Sequence, residues 1–247
     1  MKMSKTEGLF LAMALCIAAA SAPAVEPGSF EENADQFSWA VQPDPALPNV
    51  LLLGDSISVG YTLPVREKLK GKANVYRPVT SDGSKPFNCR YTSYSLPLID
   101  NWLAMTPKWD VIHFNWGLHD LAHVNLKTKQ NGPEIPSIAS LEEYKANLQK
   151  LVDKMKATGA KLIFATTTTF PPGVNPCRLP EDVEKYNAVA LEVMEKNGVA
   201  IDDLYSFTKD RLPELQRPVN VHFTEAGSKV IAEKIVESIA GKLPSTN

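Results

Sequence analysis

The hydrophobic pattern of this chain changes period repeatedly, and each change marks an element. Val50-Leu51-Leu52-Leu53 is an unbroken apolar run that stops at Gly54, as a short strand covered on both faces would read. Comparable β-prone runs recur at 73–76, 109–115, 161–168 and 199–201. Between them the period lengthens. Leu141, Tyr144, Leu148, Leu151, Val152 and Met155 fall at helical spacing, and Gly159 closes the segment. Further helices are predicted over 58–69, 96–105, 181–197 and 224–240, with Gly198 stopping one and Thr224 capping another. Strands that alternate with helices predict an α/β chain built on a parallel sheet with helices on both faces. Long polar loops over 77–93, 117–139 and 170–180 interrupt the alternation, and no internal repeat is visible.

In such sheets sites form at the carboxyl ends of the strands. The loops that leave those ends begin near Ser56, Arg77, Gly117 and Thr169, and they hold most of the unusual polar residues. Gly54-Asp55-Ser56-Ile57 is the most informative of these segments. A strand that breaks at glycine and re-enters a helix presents one side chain at a helix N-terminus, where N–H groups favour negative charge. A nucleophilic serine needs that setting, because its reaction creates an oxyanion beside it. The same residues also serve as a plain helix cap. A serine nucleophile needs a base, and His222, in Asn220-Val221-His222-Phe223-Thr224, precedes the last helix where it can swing over the strand ends. His113 lies inside a strand and reads as core, His123 as loop surface, and His119 follows Gly117-Leu118 at a strand end, where it can face the site.

These segments together resemble the SGNH, or GDSL, hydrolase superfamily over roughly residues 48–241. Gly54-Asp55-Ser56 matches the first block of that family, with Ser56 as nucleophile. Gly117-Leu118-His119-Asp120 stands where the third block reads Gly-x-Asn-Asp, and His222 with Phe223-Thr224-Glu225-Ala226-Gly227 matches the fifth. Tyr186-Asn187 and the 198–205 stretch are similar, more weakly, to the carbohydrate-acetylesterase branch. The resemblance implies a flavodoxin-like, three-layer α/β/α sandwich on a mostly parallel five-stranded sheet. It also implies ester hydrolysis by a Ser-His pair with an oxyanion hole and no cofactor. The chain departs from the family in three places. His119 replaces the asparagine that donates to the oxyanion; a neutral histidine can donate too, or can contact substrate or pack. The block-two glycine that supplies a backbone N–H is either Gly83 or is replaced by Asn88-Cys89-Arg90. The aspartate expected three residues before the histidine is Val219, and Asn220 is the nearest polar substitute, with Asp202 and Asp203 reading as strand-end or cap residues. Arg90 is a candidate contact for an acidic substrate group and Trp116 for a sugar-stacking wall.

Composition adds limits. The chain has 247 residues, 44% hydrophobic and 22% charged, with net charge −2, so it is long enough for one sizeable domain and lacks the basic surplus of a nucleic-acid binder. Residues 1–24 read as a secretory signal. Lys2 and Lys5 precede an apolar stretch too short for a comfortable membrane span, and Ala22-Pro23-Ala24 offers a cleavage site. The expected organisation is a signal over 1–24, a Pro- and acid-rich arm over 25–46 and a hydrolase domain over 47–243, in the periplasm or outside the cell. An oxidising compartment favours a disulfide between Cys89 and Cys177, the two cysteines beyond the signal. The histidines and cysteines show no metal-ligand spacing. The expected activity is hydrolysis of short acyl esters, acetyl on carbohydrate first. The alternatives are a lipase, lysophospholipase or thioesterase on the same scaffold, and a carbohydrate binder impaired by the missing aspartate.

Overall fold

The computed structural model describes Trp39 and residues 41–244; the expected signal over 1–24 and most of the 25–46 arm lie outside the described residues. Five strands form one sheet: β1 (Asn49–Leu53), β2 (Asn74–Tyr76), β3 (Val111–Phe114), β4 (Lys161–Ala165) and β5 (Ala200–Asp202). Their order is β2-β1-β3-β4-β5, and every pairing is parallel. Leu53 pairs with Phe114 and Phe114 with Phe164, so the central strands end level and their loops emerge along one edge.

The apolar runs are continuous because both faces are covered. Val50 and Leu52 pack with Val111 and Ile163 under α1 (Ser56–Lys68) and α8 (Glu225–Ala240). Leu51, Leu53, Ile112, Phe114, Leu162 and Phe164 face the other way, against α4 (Leu141–Lys156) and α5 (Pro180–Asn197). The result is the three-layer sandwich. A capping box starts α4: Ser140 Oγ accepts from the Glu143 N–H, and the Glu143 carboxylate accepts from the Ser140 N–H. Gly198, at φ 66°, ends α5 in the left-handed conformation.

The expected helix over 96–105 is two short ones, α2 (Thr92–Ser95) and α3 (Ile99–Leu103). Leu96 still has helical geometry, but Pro97 has no N–H to give the ladder, so it stops there and restarts at Ile99. β4 ends at Ala165 rather than 168, because Ala165 meets the last residue of β5; the Thr166 N–H still reaches the Asp202 carbonyl at 3.0 Å, and the bonds beyond it go to other partners. Thr166 Oγ1 donates to Asp203 at 3.0 Å and the Thr167 N–H to Asn187 at 2.8 Å. The stretch 204–215, for which the pattern predicts nothing, holds α6 (Leu204–Thr208), a 3₁₀ turn (Lys209–Arg211) and α7 (Leu212–Leu215). The end of the arm is pinned to β2: the Asp44 N–H donates to Asn74 Oδ1 and Asn74 Nδ2 to the Asp44 carbonyl, both at 2.8 Å. Among the described residues no helix is long and apolar enough to cross a membrane.

Candidate active site

At the end of β1 the chain turns sharply at Gly54, whose φ of +153° and contact with Ser58 leave no room for a side chain; a Cβ would lie 2.8 Å from Ser58 Oγ. Asp55 caps α1, its Oδ1 accepting from the Ile57 N–H at 2.8 Å. Ser56 is therefore the first residue of the helix, half-buried at the sheet edge, with its own N–H outside the helical ladder. Arg77 lies buried beneath the turn. Its guanidinium donates to Ser58 Oγ and the Gly54 carbonyl at 2.7 Å each, and to the Phe87 carbonyl at 2.9 Å. One side chain thus ties the serine turn to the loop after β2. Burial without a bonded carboxylate lowers the Arg77 pKa.

His222 is delivered by a clamp between α7 and α8. Gln216 and Phe223 form an antiparallel bridge, the Arg217 N–H donates to the His222 carbonyl at 3.0 Å, and the Thr224 N–H to the Leu215 carbonyl at 2.9 Å. The imidazole then reaches across the strand ends: Nε2 lies 2.8 Å from Ser56 Oγ, and Nδ1 lies 2.8 Å from Asn220 Oδ1. With Nδ1–H donating to that amide oxygen, Nε2 is left to accept from the serine hydroxyl. Burial lowers the His222 pKa, which keeps the ring neutral and basic near neutrality, while Asp55 works against the shift. Val219, at the family position of the acid, adopts φ 47° and is 60% exposed, so its side chain is directed to solvent and Asn220 takes the place beside the ring.

Two clefts meet at this pair. One, of about 830 Å³, runs between α1 and α8 past Leu63, Pro64, Arg217 and Ser228. The other, of about 530 Å³, has Asn88, Arg90 and Tyr91 on one side and Asn175, Pro176 and Arg178 on another, with His119 and the apolar residues Leu118, Ala122, Val124, Leu126 and Ile138 completing it. The His119 ring is mostly buried there; burial lowers its pKa, Asp55 opposes the shift, and Arg178, Arg90 and His222 reinforce it, which favours the neutral ring with one N–H to donate. Ser56, His119 and Asn88 all line this cleft.

A model of the GDSL-like lipase/acylhydrolase family matches residues 52–230, a span that runs from the end of β1 into α8 and contains the whole constellation. The chain belongs to this family. No curated protein sequence is matched. Among solved structures, a lipase/acylhydrolase from Enterococcus faecalis superposes with a TM-score of 0.60 at 20% identity, covering 81% of this chain and 99% of that one. Axe2, an acetylxylan esterase from Geobacillus stearothermophilus, gives 0.58 at 19% identity over 78% and 94% of the two chains. TesA gives 0.57 at 18% identity over 79% and 99%. The family fold therefore matches the sandwich seen here.

Several residues sit differently from the sequence expectation. Gly83 closes a tight loop turn, its N–H donating to the Thr80 carbonyl at 2.8 Å, and lines neither cleft. Asn88 and Arg90 line the cleft instead, with Arg90 in the left-handed region at φ 52°. Two backbone donors of this segment are already used, Cys89 N–H on the Gly54 carbonyl at 3.1 Å and Arg90 N–H on Asn88 Oδ1 at 2.8 Å. Trp116 is no sugar wall: it is 1% exposed, packs on Phe114 and donates Nε1–H to Ser95 Oγ at 2.8 Å. The expected disulfide is absent, and Cys89 and Cys177 are free thiols. Cys89 points into the core, where burial raises its pKa to about 11, whereas Cys177 is partly exposed on a loop bonded to Asn131 and His123. His123 is not loop surface but a brace, with Nδ1 2.5 Å from the Ile135 carbonyl and Nε2 2.9 Å from Asp182. His113 is core as expected, paired with Asp202 at 3.1 Å. Asp120 braces the loop, its Oδ1 accepting from the Thr92 N–H at 2.9 Å and the Thr92 hydroxyl at 2.6 Å. Arg77 and Arg178 were missed, since a lone arginine in a loop carries no signal of burial. Among the described residues no group of acids, histidines or cysteines is arranged to hold a metal ion.

Proposed function

We propose that this protein is an exported serine esterase that removes short acyl groups, acetyl first, from carbohydrate. The observation that carries the reading is the unbroken relay from Ser56 Oγ to His222 Nε2 and from Nδ1 to Asn220 Oδ1, at 2.8 Å each. Ser56 Oγ attacks the ester carbonyl carbon as its proton passes to Nε2. The imidazolium that forms is held by Asn220, and the oxyanion by the Ser56 N–H and His119. Collapse of the intermediate breaks the ester C–O bond, and Nε2 returns the proton to the leaving alcohol. Water, deprotonated by the same nitrogen, then attacks the acyl-serine, and the acid leaves with Ser56 restored. No step calls on a metal or cofactor. The acetylxylan esterases among the structural neighbours support the acetyl choice, and the leader-like segment at 1–24 supports export.

The apolar side chains Leu118, Val124, Leu126 and Ile138 support a second reading, in which the 530 Å³ cleft takes a longer acyl chain as a lipase or thioesterase would. One panel decides between them. The protein and its Ser56→Ala variant are assayed on p-nitrophenyl esters from acetate to long acyl chains. The first reading expects the highest kcat/KM on acetate and a loss on the order of 10⁴-fold or more in Ser56→Ala. A maximum on long chains would replace acetyl with lipid substrates, and equal rates for the two proteins would reject the serine mechanism.

A further inference from the structure

The cleft of about 530 Å³ beside Ser56 holds two guanidinium groups and, among the described residues, no carboxylate in its lining. Arg178 is 6% exposed. Its Nε donates to the Leu118 carbonyl at 2.8 Å and its Nη1 to the Pro176 carbonyl at 3.1 Å, which fixes the plane of the fork. Nη2 makes no hydrogen bond to the protein and is not fully enclosed, and the side chain lines the cleft. Arg90 reaches the same cleft from the opposite loop, exposed, with its guanidinium 4.9 Å above the Tyr94 ring. Both charges act on the His119 ring, so both lie near the place where a bound ester would sit. The opposite charge that acts most on Arg178 is Asp55, but the two form no ion pair, and that carboxylate is buried and bonded to the Ile57 N–H. A buried, rigid and unpaired arginine is costly to keep. A planar fork held by two carbonyls with its free edge turned to substrate is suited to an oxyanion.

We propose that the substrate of this site bears an anionic group, a carboxylate or a sulfate, on the same sugar residue as the ester, held by Arg178 on the floor of the cleft and by Arg90 at its rim. This assignment rests on the esterase reading above and names the kind of carbohydrate it acts on. It also gives a reason for the unbonded Nη2 and for the absence of acid from the lining. The apolar wall then faces the carbon skeleton of the sugar or its acyl group.

The test measures acetate release from O-acetylated methyl glycosides of galactose, galacturonic acid and galactose sulfate, using the full chain, Arg178→Gln, Arg90→Gln and Ser56→Ala. The wild-type protein is expected to prefer at least one acidic ester over the neutral one by about tenfold or more in kcat/KM, with the preference shrinking as salt is added. Each arginine variant is expected to cut that ratio by about fivefold or more. A preference for the uronate alone assigns a carboxylate, and one for the sulfate alone assigns a sulfate. Equal rates on neutral and acidic esters, or variants that slow all esters by the same factor, would overturn the proposal while leaving the esterase standing. Arg178→Gln removes two loop bonds, so Arg90→Gln, altered only at an exposed position, keeps the test decisive if the first variant unfolds. Failure to release acetate from any ester, or release undiminished in Ser56→Ala, would bring down the esterase reading and this one with it.

Discussion

Asn220 holds His222 twice with one oxygen: Oδ1 accepts from the His222 backbone N–H at 2.9 Å and lies 2.8 Å from Nδ1. The bond from the backbone N–H turns the amide oxygen toward the ring and so sets the Nδ1–H tautomer, but the amide offers no negative charge to the imidazolium formed in the reaction. The substitution Asn220→Asp keeps both bonds and adds that charge. It is expected to raise kcat on acetyl esters about tenfold or more. It should also favour the protonated ring, so the acid limb of kcat/KM moves to higher pH. In the unaltered protein that limb belongs below the ordinary histidine value of 6.5, because burial lowers the His222 pKa. A pH profile of both proteins checks the two statements together. A rate that is unchanged or lower in Asn220→Asp would mean that orientation, not charge, is what the second residue of the relay supplies.

At the scale of elements, the position of His222 depends on how closely α7 meets the start of α8. The Leu215 carbonyl is the meeting point, taking the Thr224 N–H at 2.9 Å and the Thr224 hydroxyl at 3.1 Å. A Cβ on Gly227 would lie 2.1 Å from that carbonyl oxygen, which is backbone and cannot step aside alone. Gly227→Ala is therefore expected to push the helices apart and to cost about 1–3 kcal/mol of stability, with a loss of kcat as His222 leaves Ser56. Gly71→Ala is the control: its Cβ meets nothing within 4 Å, so only its φ of +72° costs, about 1–2 kcal/mol, with kcat unchanged. Denaturant midpoints and kcat separate the two cases. The sandwich itself was legible because each strand is a continuous apolar run and α4 has a strong period. The α6–α7 stretch was not, since Leu204, Thr208 and Leu215 are its only buried landmarks before Gln216 and three short turns share them. The sequence placed Ser56 and His222 by their neighbours along the chain, whereas Arg77 and Arg178 are defined by carbonyls from other loops. The disulfide was misjudged for the same reason: cysteine content speaks to compartment, and only the fold shows that the Cys89 side chain is buried in the core.

The molecule as a whole carries a pH sensitivity set by one carboxyl at the junction of its loops. Asp120 is fully buried where the loop after β3 meets α2. Only its Oδ1 is bonded, and Oδ2 has no partner. Burial raises its pKa from 3.8 to about 7, against the bonds from Thr92. In the unfolded chain the group loses its proton near the ordinary value, so between those two pH values the folded protein binds more protons. Folding stability contributed by this group is then complete below the lower value and is lost as pH rises through the upper one. The expected outcome is a Tm that falls from about pH 5 to about pH 8 by more in the wild type than in Asp120→Asn, whose amide keeps an acceptor for Thr92 and never ionises. Thermal unfolding across that range measures the difference. Parallel curves would show that Asp120 is ionised in the folded state throughout, and its orphaned oxygen would then need another source of compensation.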